Sequence, residues 1–409
     1  MRLLNTTDFS FQEFWTFYTT PAYAILSHRW SDEEVSFKIW RKGIGYVKIK
    51  KFCTVAKSFG FDWCWADTCC IDKRSSAELS EAVNSMYDWY KHSSLCITYL
   101  SDVHYNSEGP RTDWVFHDAI ASMKHSEWFS RGWTLQELIA PPRILFLSSE
   151  WTILGHITSH FILDDGLVPG YPPLQAHISS ITGIDVGILI NSNVLEAACV
   201  AEKMSWAADR QTSRPEDMAY CLLGLFHVNM PLLYGEGATK AFMRLQLEII
   251  RKSSDESIFA WREQSWTWQG LLSSSPKVFK HSGHIRRPNS IFVSLGDLTS
   301  AREVTRLPYA MTNRGLELRA RAWRSFDKGS IYYIQLACEE VVDNGVKQSC
   351  MLVLQGVRYE DGDRVRHAQR RNTNSLDLAM DWQEPNDVES RSALCDLGIV
   401  CFEIPQDGL

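Results

Sequence analysis

Trp63–Lys73 reads WCWADTCCIDK and Arg131–Pro142 reads RGWTLQELIAPP. Each sets acidic and aromatic side chains beside a short apolar run, as sheet-based domains do where they present a site. Both lie in a chain with 16 Trp in 409 residues, ten of them before residue 152. A Trp ring is large and its N–H needs a partner, so a segment dense in Trp must be closely packed. Residues 1–150 therefore read as a compact, aromatic-rich unit and as the functional one.

Upstream, Tyr23–Ser27 (YAILS) follows Pro21 and runs into His28, Arg29 and Trp30. That pattern is a buried strand delivering polar residues at its C-terminal end. Val47–Phe59 spaces Ile49, Phe52, Cys53, Ala56 and Phe59 as a helix does, and Gly60 stops it. Phe61–Asp67 reads as a second strand, followed by a loop through Lys73. Ser75-Ser76-Ala77-Glu78 is a capping-box pattern, in which Ser75 accepts from the Glu78 N–H and the Glu78 side chain reaches back. The helix it opens carries Leu79, Val83, Met86, Tyr87 and Tyr90 on one stripe.

Downstream, Leu95–Leu100 is a third strand and Asp113–Met123 a helix with a break near His125. Thr134–Ile139 is a short helix stopped by Pro141 and Pro142, and Arg143–Leu147 a fourth strand. This alternation predicts an α/β unit with a mostly parallel, flavodoxin-like sheet and right-handed crossovers placing helices on both faces.

Residues 151–275 read as a mainly helical extension. Within it, 152–203 is expected to hold helices and an excursion over the first domain, with Pro169, Pro172 and Pro173 in a loop. Arg214-Pro215-Glu216-Asp217 precedes a helix over Met218–Phe226. Ala238–Ile250 carries a stripe of Ala238, Ala241, Phe242, Leu245 and Ile249. The helices between 204 and 252 are expected to pack on the first core. Residues 276–409 read as a β-rich C-terminal domain. Its strands are expected at Ile291–Leu295, Leu316–Ala322, Ile331–Leu336 and Met351–Val357, with turns such as Asp361-Gly362-Asp363.

The net charge of -7 gives no argument for nucleic acid or an anionic membrane. Lys48, Lys50 and Lys51 read as the solvated face of a helix. No apolar run reaches the length of a membrane span. The opening MRLLNTTDFSFQEFW, with Asp8 and Glu13, lacks the apolar stretch of a secretory signal. The 11 Cys are odd in number and scattered, which points to a reducing compartment, cytosol or nucleus, rather than a disulfide framework, and a cytoplasmic location is expected. Cys64, Cys69 and Cys70, with His92, have C-x4-C-C spacing and lack the paired C-x2-C of structural zinc sites. They read as packing thiols, and no metal is expected.

Glu137 is the leading candidate site residue. It follows Arg131, Gly132 and Trp133 on the short helix. A carboxylate against an aromatic wall holds a ribose hydroxyl or stabilises an oxocarbenium-like transition state, and burial there tunes its pKa. Capping a turn, or pairing with Arg131 or Arg143, would equally account for it. Asp67 and Asp72 flank Cys69 and Cys70 beyond the second strand; His28, Arg29 and Trp30 stand beyond the first. Ligands of open α/β sheets bind there. Arg29 would suit a phosphate, Trp30 a stacked base and a carboxylate a ribose. A buried polar network fixing the loops would look the same. The chain has no G-x4-G-K-[ST] loop, no dinucleotide glycine fingerprint and no G-x-S-x-G elbow. Gly235-Glu236-Gly237 is too short and too acidic to cradle a phosphate.

Several stretches together resemble the fungal heterokaryon-incompatibility (HET) domain: MRLLNT, YAILSHRW (Tyr23–Trp30), WADTCCIDK (Trp65–Lys73), Glu78–Tyr90, LSDV (Leu100–Val103) and Trp128–Pro142. MSWAADRQTSRPEDMAYCLLGLF, MPLLYGEG, AFMRLQLEII and SIFAW, within Met204–Trp261, resemble the segment that follows this domain. Large members append a nucleotide-binding oligomerisation domain and WD-type repeats; this chain reads as a short form. The resemblance implies non-self recognition and regulated cell death, through self-association or death-pathway partners. It also implies a distant likeness to Toll/interleukin-receptor (TIR) domains, some of which cleave the nicotinamide–ribose bond of NAD with a glutamate in a W-C-x-x-E-L type segment. Trp133–Leu138 is similar, with Thr134 in place of Cys, and selects Glu137 as the catalytic residue. NAD would then be the substrate, with no cofactor required. His28, Arg29, Trp30, Asp67, Asp72, Arg131 and Trp133 would bind it. The SHRW segment departs from the usual TIR loop.

Overall fold

The computed structural model describes residues 1–30, 44–106, 113–158, 171–262, 268–269, 271–287, 309–312, 315–325, 331–341, 347–355, 358–359, 364–366, 369–371 and 394–404. The chain divides into two compact units. One comprises Met1–Glu196 with Arg210–Tyr234, the other Ala197–Asp209 with Gly235–Leu409.

The first unit is built on a seven-stranded sheet: β1 (Arg2–Asn5), β2 (Phe11–Glu13), β3 (Tyr23–His28), β4 (Trp63–Trp65), β5 (Leu95–Tyr99), β6 (Arg143–Leu147) and β7 (Ile153–Thr158). Their spatial order is β2-β1-β4-β3-β5-β6-β7. The inner strands β4, β3, β5 and β6 are mutually parallel. In chain order they stand second, first, third, fourth, which is the flavodoxin-like arrangement. β1 and β2 extend one edge antiparallel and β7 the other. β3 is buried at every position, as an inner strand covered on both faces must be.

Five helices follow the inner strands: α1 (Ile44–Ser58), α2 (Asp67–Cys70), α3 (Ser76–Lys91), α4 (Asp113–Ser122) and α5 (Thr134–Ile139). In α1 the stripe Ile49, Phe52, Cys53 and Ala56 is fully buried. Gly60 ends the turn with φ +85°, a conformation that suits glycine, and its N–H returns to Lys57 O. Ser75 caps α3 by accepting from Glu78 N.

Several expected details are corrected. The first strand runs through His28, which is buried rather than delivered to a loop. Asp67 opens a short helix instead of ending a strand. Glu78 does not complete the capping box. Its carboxylate accepts from Asp72 N at 2.8 Å and from the Arg2 guanidinium at 2.9 Å, a charged donor that outcompetes a local amide. The helix expected over Met218–Phe226 is two pieces, Asp217–Tyr220 and a 3-10 turn at Gly224–Phe226. β7 lies where helices were expected, though Gln175–Thr182 and Val186–Ile190 are helical.

In the second unit Ala238–Lys252 is helical, and Ala241, Phe242, Leu245 and Ile249 are buried. Four long strands, Gly315–Ser325, Ile331–Val341, Lys347–Gln355 and Leu394–Ile404, form the body of a ten-stranded sheet with mainly antiparallel pairing. They contain the segments expected at Leu316–Ala322 and Ile331–Leu336, and most of Met351–Val357. Ile291–Leu295, Pro169 and Asp361–Asp363 lie outside the described residues.

Gly224 shows how closely the first unit packs. A Cβ built there would stand 2.0 Å from Tyr87 Cβ on α3, a buried and immobile part of that residue. Gly224→Ala should therefore destabilise by roughly 3 kcal/mol or more, as severe overpacking does. The urea midpoint should fall markedly, whereas Gly183→Asn, at a left-handed position with no heavy atom within 4 Å, should be tolerated.

Candidate functional site

β3 pairs with β4 only as far as Ile25 against Trp65, but with β5 on to His28 against Tyr99. Ser27 and His28 therefore stand past the end of β4, at the carboxyl ends of the parallel strands. The chain order reverses there, with β4 on one side of β3 and β5 on the other. Open α/β sheets bind ligands at such a point. α2 starts at Asp67 on the same side. α5 packs against β3 and α3, which sets Glu137 against Ser27, 110 positions earlier.

Glu137 is 5% exposed. Its Oε2 accepts from Ser27 Oγ at 2.5 Å, and Ser27 Oγ accepts in turn from Trp128 Nε1 at 2.9 Å. The Tyr90 hydroxyl lies beside the carboxyl and donates to Leu26 O at 2.9 Å. Burial pushes Glu137 from its ordinary 4.5 up to about 7. The Arg131 guanidinium and the Ser27 and Tyr90 hydroxyls oppose that rise, while the Asp67 carboxylate adds to it.

Arg131 also donates to His28 O at 2.6 Å, tying the α5 loop to the end of β3. Its guanidinium carbon lies 5.7 Å from the centre of the Trp30 ring. Lys73 Nζ stands over the same ring at 3.2 Å, and the Trp30 N–H donates to Asp67 Oδ2 at 2.9 Å. Trp30 is thus an aromatic shelf, 37% exposed, flanked by two cations and a carboxylate.

The structure brings Glu137, Arg131, Asp67, Trp30 and the His28 backbone together. The other three candidates turn elsewhere. Arg29 pairs with Glu127, both side chains about half exposed. Asp72 takes three bonds from Arg74, one from its backbone N–H and two from its guanidinium, which fixes the loop before α3. Trp133 donates to Asp217 at 3.2 Å, because its N–H needs a partner away from the apolar wall.

A segment more than seventy residues later holds this motif in place. Gln211 accepts from Gly132 N and donates to Ser130 O, both at 2.7 Å. Arg210, 4% exposed, donates to Arg131 O at 2.9 Å and Thr134 Oγ1 at 3.0 Å. Burial lowers its guanidinium to about 10, against the attraction of Glu137. Gly132 is required by the approach: a Cβ there would meet Thr212 Cγ2 at 2.6 Å. Sequence reading passed over Ser27, Tyr90, Trp128, Arg210 and Asp217 as site residues. Ser27 had a signal, a hydroxyl at the last buried turn of an apolar strand. Arg210 had none, since only the fold brings it near.

Cys64, Cys69 and Cys70 are fully buried, and burial pushes Cys64 up. A hydrogen bond to Cys70, then burial, does the same to Cys69. Such thiols pack rather than react. Among the described residues, no group of three or more His, Cys, Asp or Glu is arranged to hold a metal ion.

The raised Glu137 value has a defined sign. Below about 4.5 the group is protonated in both folded and unfolded chains. As pH rises towards 7 the unfolded chain ionises first, so the folded state loses stability through that window. The loss is on the order of 3 kcal/mol at about 1.4 kcal/mol per pH unit. Glu137→Gln should remove it: the urea midpoints of the two proteins, measured at pH 5 and pH 8, should converge or cross as pH rises.

Comparison with known proteins bears on the family of the sheet rather than on the site. The family model "Heterokaryon incompatibility protein (HET)" matches residues 23–115, from β3 into α4. A 240-residue stretch, 56% of this chain, is 40% identical to the "Vegetative incompatibility protein HET-E-1" of Podospora anserina. The chain covers 16% of that protein's length. No solved structure matches. Residues 23–115 are accordingly a HET domain.

Proposed function

We propose that this chain acts in heterokaryon incompatibility as an effector of regulated cell death, and that its HET domain cleaves the nicotinamide–ribose bond of NAD. The observation that carries the reading is Glu137. A buried carboxyl with a value near 7 stands at the carboxyl ends of parallel strands, hydrogen-bonded by Ser27. Perturbed carboxyls in that position are the mark of a working site. Gln136 Nε2, on the same short helix, and Thr68 Oγ1, next in sequence to Asp67, are buried without a hydrogen-bond partner among the described residues. Buried polar atoms seldom stay unpaired, and a polar ligand would satisfy them.

In this scheme the ionised Glu137 stabilises the positive charge that develops on the ribose. The glycosidic C–N bond breaks and its electron pair returns to the nicotinamide ring, which leaves neutral. Water adds to the ribose carbon and releases a proton. Trp30 would stack a ring of the substrate, Lys73 and Arg131 would face its phosphates, and Asp67 would accept from a ribose hydroxyl. Arg29, Asp72, Trp133 and the buried His28 side chain are left with supporting roles. The chemistry requires no metal.

A second reading is a self-associating signalling module without catalysis. Trp15 and Tyr18 favour it, being 83% and 102% exposed on a turn where Phe17 stacks on His92 at 4.0 Å. Exposed aromatics so close together mark interaction surfaces. Among the described residues, no helix is long and apolar enough to cross a membrane.

Nicotinamide release from NAD separates the two readings, measured under forced self-association for the wild-type chain and Glu137→Gln. Loss of about 100-fold or more in the variant, roughly 3 kcal/mol of transition-state stabilisation, is expected. Equal turnover in both removes Glu137 as the catalyst. Absence of turnover in both, with cell killing retained on expression, establishes the module instead. Trp15→Ala with Tyr18→Ala should then abolish killing.

A further inference from the structure

We propose that Ser27 and Trp128 are positioning residues for Glu137, forming a hydrogen-bond relay that commits one donor to the ionised carboxylate. The inference takes Glu137 as the functional carboxylate and so rests on that reading for its effect on turnover. The relay itself is independent of turnover.

A serine hydroxyl has one proton and two lone pairs, and an indole N–H only donates. Trp128 Nε1 lies 2.9 Å from Ser27 Oγ and occupies one lone pair. The serine proton is then directed along the 2.5 Å contact to Glu137 Oε2. Trp128 is not free to swing away. It is 1% exposed, edge-on to Phe129 and Phe146, and its carbonyl accepts from Thr134 Oγ1 at 2.6 Å. Ser27 is wholly buried on an inner strand, away from bulk solvent.

The other groups facing Glu137 act differently. Tyr90, on α3, has one proton and two claimants for it, Leu26 O at 2.9 Å and the carboxyl. Arg131 from the loop before α5, Arg210 from the later segment and Asp67 from α2 act through charge. The Cys96 thiol on β5 contacts the Glu137 carbonyl rather than its carboxyl. Ser27 is therefore the donor whose proton has a single destination, and Trp128 is what gives it that destination.

The test follows ionisation of Glu137 in the full chain by infrared spectroscopy across pH. The readout is the protonated-carboxyl stretch that disappears in Glu137→Gln. Ser27→Ala should raise the midpoint by roughly one pH unit, about tenfold in proton affinity, the size of a lost hydrogen bond to a charged group. Trp128→Phe, which keeps the ring and removes the N–H, should move it the same way by less. Tyr90→Phe should move it less than Ser27→Ala. Melting temperatures of the same samples report packing, and a merely structural role would lower them while leaving the midpoint in place. An unmoved midpoint in Ser27→Ala, or a larger shift in Tyr90→Phe than in Ser27→Ala, overturns the proposal. If nicotinamide is released, the acid limb of its pH profile should move with the infrared midpoint. A moved midpoint without any release supports the relay and sinks the glycohydrolase reading alone.

Discussion

Placing a carboxyl group at 5% exposure costs free energy unless its neighbours hold it or it keeps its proton. Glu137 is held from several directions. Ser27 comes from β3, Tyr90 from α3, Trp128 and Arg131 from the loop before α5, and Arg210 from a segment that follows the sheet in sequence. No local stretch of chain could assemble that set. The parallel sheet puts Ser27 at a strand end, α3 brings Tyr90 alongside, and the packing of α5 on both brings the carboxylate in. The site is a consequence of the completed fold, and disturbing any of these elements should be felt at the carboxyl.

Thr134 shows how the short helix is anchored. Here the Thr134 hydroxyl shares its one proton between the carbonyls of Trp128 and Arg131 and accepts from the buried Arg210. A thiol is a weak donor and a weak acceptor, and would serve both roles poorly. The hydroxyl lets a guanidinium be buried behind the short helix, which places positive charge near Glu137. Cys221 contributes no counter-charge, because burial drives its thiol to the neutral form. Glu137 is the group whose charge favours the buried Arg210 guanidinium. The supporting segment, Arg210–Tyr234, belongs to the same compact unit as the sheet although the chain leaves that unit between residues 197 and 209. The match to residues 23–115 thus covers the strands that receive the site but neither Glu137 nor its late supports.

Much of the first unit was legible from local chemistry. YAILS, LCITYL and RILFL are apolar runs bounded by breakers, and the alternation with capped helices leaves few sheet topologies open. Thr134–Ile139 and Arg143–Leu147 were placed to the residue, because Pro141 and Pro142 separate them without ambiguity. The edge strands were not legible. β1 and β2 are short, and β1 shows two adjacent buried residues rather than alternation. The site was half legible. Asp67, Trp30, Arg131 and Glu137 are polar or aromatic residues at strand and helix ends, which is a local signal. Arg29 and Asp72 carry the same signal and found other partners in Glu127 and Arg74. Local sequence tells which residues are available to a site; side-chain direction, set by the sheet, decides which of them reach it.

The energetics of Glu137 bear on what the arrangement is for. A network built only to fix loops gains nothing from a group whose charge is resisted by burial. Gln would keep the hydrogen bond from Ser27 and would carry no ionisation penalty at neutral pH. The chain instead keeps a carboxyl near 7, with Arg131 and Ser27 favouring the anion and burial with Asp67 disfavouring it. Those opposing influences leave both protonation states accessible near neutrality. That balance is costly for stability and useful for chemistry, the exchange that functional sites characteristically make. The conflict at Glu137 between stability and charge is thus the feature on which the proposed catalytic role rests.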